Sequence, residues 1–101
     1  MKTLTEWFDE VYVIHCGYRQ DRLEVLKENL LSTGVVDLPK VTLYPAVIGK
    51  YTKSPDYWKL SAGAWGCLQS HRRVIEDVLH IHLRREAPQS VLVLEDDVHF
   101  L

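Results

Sequence analysis

The chain is poor in the features that announce a partner. Its 12 basic and 14 acidic residues leave a formal net charge of −2. That balance gives no basic excess to attract nucleic acid or an anionic membrane surface. No apolar run approaches the roughly 20 residues needed to cross a bilayer as a helix. The opening Met1-Lys2-Thr3-Leu4-Thr5-Glu6-Trp7 is too polar for a secretory signal. The only two cysteines, Cys16 and Cys67, form neither a paired zinc spacing nor a redox motif. Without a secretion signal they are expected as free thiols, in a cytoplasmic protein. There is no internal repeat and no low-complexity segment.

The 101 residues, 47 % of them apolar, are enough for one small domain with a real core. A domain of this size buries a modest fraction of its surface, so marginal stability is expected. The pattern alternates strands and helices. Val11-Tyr12-Val13-Ile14 reads as a first strand, followed by the polar, glycine-bearing loop from His15 to Arg19. Asp21 reads as a helix N-cap with Glu24 three residues later, Leu23, Leu26 and Leu30 as the buried face, and Gly34 as the stop. Lys40 to Val47 reads as a second strand, with Pro45 near its end because proline cannot donate to a ladder. Residues 48–60 read as a loop whose aromatics, Tyr51, Tyr57 and Trp58, either cover a ligand or pack on the sheet. Ser61 reads as the N-cap of a long helix. Its stripe of Ala64, Cys67, Leu68, His71, Val74, Ile75, Val78, Leu79 and His82 recurs at threes and fours.

After the loop signal Ala87-Pro88-Gln89, Val91-Leu92-Val93-Leu94 is a continuous apolar run, expected as a strand buried on both faces. This order of elements predicts an α/β fold with a parallel sheet and the first strand between the other two.

The most informative chemistry is Glu95-Asp96-Asp97, at the carboxyl end of that last run. Open α/β sheets bind ligands at such strand ends. Alternation sends Glu95 and Asp97 to one side and Asp96 to the other. Neighbouring carboxylates repel, so Glu95 and Asp97 form a hard-oxygen pair suited to Mn²⁺ or Mg²⁺ carrying a phosphate. The competing reading is a solvated acidic turn. Arg19 and Arg22 flank the start of the first long helix and read either as an anion site or as surface arginines. Gly63 and Gly66 read as points of close backbone approach, to a ligand or to a neighbouring strand. His71, in an apolar stripe, reads as a core histidine with a satisfied hydrogen bond or, with Ser70, as an edge of the crevice.

Four segments in this order resemble glycosyltransferase family 25, which includes bacterial lipopolysaccharide and collagen galactosyltransferases. They are Val11 to Ile14 with Arg19 and Arg22; Tyr44-Pro45-Ala46-Val47-Ile48-Gly49-Lys50; Leu60-Ser61-Ala62-Gly63-Ala64-Trp65-Gly66-Cys67-Leu68-Gln69-Ser70-His71; and Val91 to Val98. The resemblance implies a Rossmann-like αβα fold, the first half of a glycosyltransferase type A fold. It implies a UDP-hexose donor, a saccharide acceptor and a divalent metal. Asp97 would ligate that metal, with Glu95 beside it on the metal or the nucleotide. Ile14, Arg19, Arg22 and Ala46 would lie around the nucleotide, Asp96 near it, and Gly66, Ser70 and His71 on the donor side. His15-Cys16-Gly17 stands where the family has an Asn-Leu-like run. Family members continue well past the acidic motif, so the acceptor half and general base are expected beyond Leu101. A sheet interrupted there would leave an open edge for self-association. The competing classes are a non-catalytic nucleotide- or metal-binding module, a structural α/β piece, and a phosphoryl-transfer domain. The last would need a further aspartate and a lysine at strand ends.

Overall fold

A computed structural model describes residues 2–84 and 90–100. The expectations for the Ala87-Pro88-Gln89 loop, the His82 side chain and Leu101 lie outside the described residues. The order is α1 (Leu4–Trp7), β1 (Glu10–His15), α2 (Gln20–Thr33), β2 (Val41–Pro45), α3 (Ala62–Arg84) and β3 (Val91–Glu95), with short 3-10 turns at Leu38–Lys40 and Gly49–Tyr51. The fold is mixed α/β. Its sheet is three-stranded, ordered β2-β1-β3, and both pairings are parallel. The register sets Val11 against Val41 on one side and Leu92 on the other, with Ile14 against Tyr44 and Glu95. The ladder continues past the strand ends: the Ala46 amide donates to the His15 carbonyl at 2.9 Å and the Asp96 amide to the Ile14 carbonyl at 3.0 Å.

As the order of elements predicts, β1 is the central strand, with Val11, Val13, Ile14 and His15 all buried. Strand alternation then sorts the sheet into two unlike faces. On one face Val13 packs with Leu26, Leu30 and Val36, against which Val41, Leu94, Val98 and Phe100 also lie. This is the core, and α2 covers it with the leucines that its spacing predicts. Asn29 of α2 is buried and clamps the segment after β3: its Nδ2 donates to the Phe100 carbonyl at 2.7 Å, and its Oδ1 accepts from the Phe100 amide at 2.8 Å. The helix ends at Gly34, whose φ of 65° is left-handed and suits glycine.

The other face meets α3. Tyr12 and Tyr44 stack edge-on there, and the Tyr44 hydroxyl donates to Asp77 of α3. Ser61 caps α3 as expected, its Oγ accepting from the Ala64 amide at 3.1 Å. The loop aromatics divide: Trp58 packs edge-on against Trp65 of α3, while Tyr51 and Tyr57 are exposed.

Three expectations need correction. The N-cap of α2 is Arg19, not Asp21; Asp21 lies in the first turn, and its carboxylate pairs with the Arg19 guanidinium at 3.0 Å. β3 is half-buried rather than buried on both faces, because it forms an edge of the described sheet. The α3 stripe is only partly covered: Val74 is buried, but Leu68, Ile75 and Leu79 are 48 %, 56 % and 57 % exposed.

Candidate functional site: a crevice at the strand ends

The two crossovers place the site. β1 leads through α2 to a neighbour on one side, and β2 leads through α3 to the strand on the opposite side of β1. The carboxyl ends of all three strands therefore lie at one edge of the sheet, which is where open α/β sheets bind ligands. A cavity of about 380 Å³ lies there, within the range of small-molecule sites. Its floor is Ile14 and Ala46; Arg22, Lys50, Ser70, Glu95, Asp96 and Asp97 stand around it. Ala62 and Gly63 bring the N-terminus of the 23-residue α3 to its rim, where helix N–H groups favour an anion. Lys50 sits against the rings of Tyr18 and Tyr51, at 5.6 and 5.0 Å from their centroids.

Seven of the residues singled out in the sequence thus converge on one cavity: Ile14, Arg22, Ala46, Ser70, Glu95, Asp96 and Asp97. Arg19, Gly66 and His71 do not line it. Arg19 is engaged with Asp21 at the surface, and that guanidinium holds the Asp21 carboxyl down at about 2. Gly66 answers the question its sequence position raised. A Cβ there would come within 2.6 Å of both the Gly49 amide nitrogen and the Val47 carbonyl oxygen, so the close approach is to backbone, not to ligand. Ser70, only 1 % exposed, fastens the same contact: its Oγ donates to the Gly66 carbonyl at 2.7 Å and accepts from the Val47 amide at 2.8 Å. A Cβ on Gly63, by contrast, would meet only the Ser61 hydroxyl.

Glu95 ends β3, and Asp96 and Asp97 lie in the turn that follows, closed by the Val98 amide on the Glu95 carbonyl at 3.1 Å, so the acidic-turn reading holds for these two while Glu95 and Asp96 face opposite sides. Asp96 is 5 % exposed and turns toward the α2 side. Its Oδ2 accepts from His15 Nδ1 at 3.1 Å and from the Cys16 amide at 3.1 Å, and its Oδ1 faces Arg22 Nη1 at 3.5 Å. This carboxylate is committed to holding the β1 and β3 ends together. Glu95 is exposed and turns toward α3, where Cys67 Sγ lies 3.1 Å from its Oε1 and His71 Nε2 lies 3.8 Å from its Oε2. Partial burial, the hydrogen bond to Glu95 and that carboxylate's charge push the Cys67 thiol up to about 11. Both cysteines are free thiols.

Cys67 and His15 are site residues that the sequence does not single out. The first carried a signal: Cys67 and His71 are four apart on a helix and so share a face. The second carried none, because its partner Asp96 is 81 residues away.

No protein-family model, no curated protein and no solved structure matches this chain. Among the described residues, no helix is long and apolar enough to cross a membrane.

Proposed function

We propose that this crevice binds the diphosphate of a nucleotide-sugar, and that the chain is the donor-binding part of a family 25 glycosyltransferase that transfers a hexose from a UDP-sugar to a saccharide acceptor. The supporting observation is the convergence of four separated sequence segments on a cavity at the carboxyl ends of the strands. A three-stranded parallel sheet with a cavity at its strand ends is compatible with the nucleotide-binding α/β sheets, and the Rossmann-like, type A description belongs to the same proposal.

The electrostatics favour such a ligand only with a cation. Arg22, Lys50 and the α3 N-terminus attract a diphosphate, whereas Glu95 and Asp97 on the same cavity repel it. Two exposed carboxylates fit Mn²⁺ or Mg²⁺, ions that typically use one or two carboxylates and complete their shell with water and substrate phosphates. When bound, such an ion offsets charge on the diphosphate leaving group. Ile14 and Ala46 offer the apolar floor for a base or ribose, and Gly63 leaves room at the rim. Asp96 supports the site from behind by fixing the loop that carries Cys16 and the guanidinium of Arg22.

Isothermal titration with UDP, in EDTA and in Mn²⁺, tests this reading. Binding that requires Mn²⁺ and is lost in Asp97→Asn supports it. An absence of heat at millimolar UDP under both conditions removes it.

A further inference from the structure

Cys67, His71 and Glu95 bring a thiol, an imidazole and a carboxylate together beside the crevice, with one ligand atom from each within 4.8 Å of the others. We infer that these residues form a site for a zinc-class ion, distinct in chemistry from the hard-cation pair Glu95 and Asp97. The inference does not rest on the donor-binding reading.

Three points carry it. The first is geometry. Tetrahedral zinc with bonds of about 2.3 Å to sulfur and about 2.0 Å to nitrogen or oxygen places its ligand atoms roughly 3.3–3.5 Å apart. Cys67 Sγ lies 3.1 Å from Glu95 Oε1 and His71 Nε2 lies 3.8 Å from Glu95 Oε2, and with one ligand atom taken from each residue all three lie within 4.8 Å, so a small side-chain adjustment closes them onto one ion. The second is rigidity. Cys67 and His71 project from successive turns of α3, the i, i+4 arrangement by which one helix face offers two ligands. Glu95 ends β3, held in register on β1. The third is donor chemistry. A thiolate with an imidazole and one carboxylate is softer than any Mg²⁺ or Mn²⁺ shell, and such mixed sets select zinc or cobalt.

Three protein ligands leave the fourth tetrahedral position open, the mark of an exchangeable rather than a structural zinc site. Cys67 and Glu95 both line the crevice, so the ion would sit at its edge. On binding, the Cys67 proton passes to solvent and the thiolate ligates the ion.

Cobalt(II) is the probe, added to the fully reduced chain without nucleotide. The expected result is a thiolate-to-cobalt charge-transfer band with tetrahedral visible bands, both bleached by stoichiometric Zn²⁺ and unaffected by excess Mg²⁺. Cys67→Ser should abolish the charge-transfer band. His71→Ala and Glu95→Gln should each weaken affinity by at least about tenfold. Cys16→Ser should leave the spectrum intact, which separates the two thiols. Circular dichroism checks that each variant keeps the wild-type fold. Mn²⁺-dependent UDP binding should persist in His71→Ala, whose side chain does not line the crevice, so this site and the donor reading fail separately. Absence of the charge-transfer band in wild type, its survival in Cys67→Ser, or its loss in Cys16→Ser overturns the inference.

Discussion

Asp96 and Glu95 are adjacent in sequence and opposite in circumstance. Asp96 is buried on the α2 side, with His15, the Cys16 amide and Arg22 around its carboxylate. Glu95 is exposed on the α3 side, beside the Cys67 thiol and the His71 imidazole, with one ligand atom from each within 4.8 Å. The difference extends to the two faces of the sheet. The α2 face is a packed core of Val13, Leu26, Leu30 and Val36. The α3 face is held by a glycine-to-backbone contact and a few polar links, with Leu68, Ile75 and Leu79 exposed along the helix. One side of the crevice is built to stay fixed, and the other to present side chains.

The largest expected effect comes from breaking the fixed side. Asp96→Ala should cost about 3 kcal/mol, because it strands a buried histidine and amide. Urea denaturation measures it, and a loss below about 1 kcal/mol would mean that the carboxylate is not the tie proposed here.

Next is the approach of α3 to the loop after β2. Gly66→Ala places a methyl within 2.6 Å of two backbone atoms, which cannot swing aside as a side chain would. A loss of about 2 kcal/mol is expected, in the range of overpacking. Gly63→Ala, facing only Ser61, should be neutral or slightly stabilising in the same assay.

The presenting side should show itself in reactivity. The Cys67 thiol titrates near 11 rather than at its ordinary 9.0, so its thiolate is scarce near neutrality. Its folded value lies above the unfolded one. The associated stability is therefore complete below pH 9 and is lost as pH rises toward 11. Iodoacetamide at pH 8 should accordingly label Cys67 more slowly in the folded chain than in urea, and Glu95→Gln should speed labelling of the folded chain. Equal rates in folded wild type and Glu95→Gln would remove Glu95 as the cause.

The smallest effect belongs to the exposed stripe. Ile75→Lys should change stability by no more than about 0.5 kcal/mol. A larger loss would show that α3 is covered more than its exposure indicates.

The parallel sheet was legible because continuous and β-branched apolar runs state which segments are strands, and the run order then admits few topologies. The central place of β1 followed from that. The opposite facing of Glu95 and Asp96 was legible too, since alternation is a local rule, and the turn at Asp96 and Asp97 matches the competing reading. The partners of each carboxylate were not. Asp96 meets His15 and Arg22 only after both crossovers have closed, and Cys67 and His71 acquire Glu95 only when α3 lies against the end of β3. The four-residue α1 has too few turns to show a period, and its anchor, the Leu4 amide on the Val35 carbonyl at 2.7 Å, is long-range. Asp21 looked like a cap because spacing alone does not reveal that a neighbouring arginine competes for its carboxylate. Half of the α3 stripe proved exposed because periodicity reports which residues share a helix face, not what covers it.

The most direct measurement compares the two aspartates at the end of the triplet. Thermal melts of wild type, Asp96→Asn and Asp97→Asn are recorded in EDTA and in Mn²⁺ with UDP. Asp96→Asn should melt well below wild type in EDTA. Asp97→Asn should melt at or slightly above wild type there, since one of two repelling charges is gone, and should lose the upward shift that Mn²⁺ and UDP give the wild type. An Asp97→Asn variant that melts well below wild type in EDTA, with no ligand-induced shift in either protein, would make Asp97 structural and contradict the donor-site account.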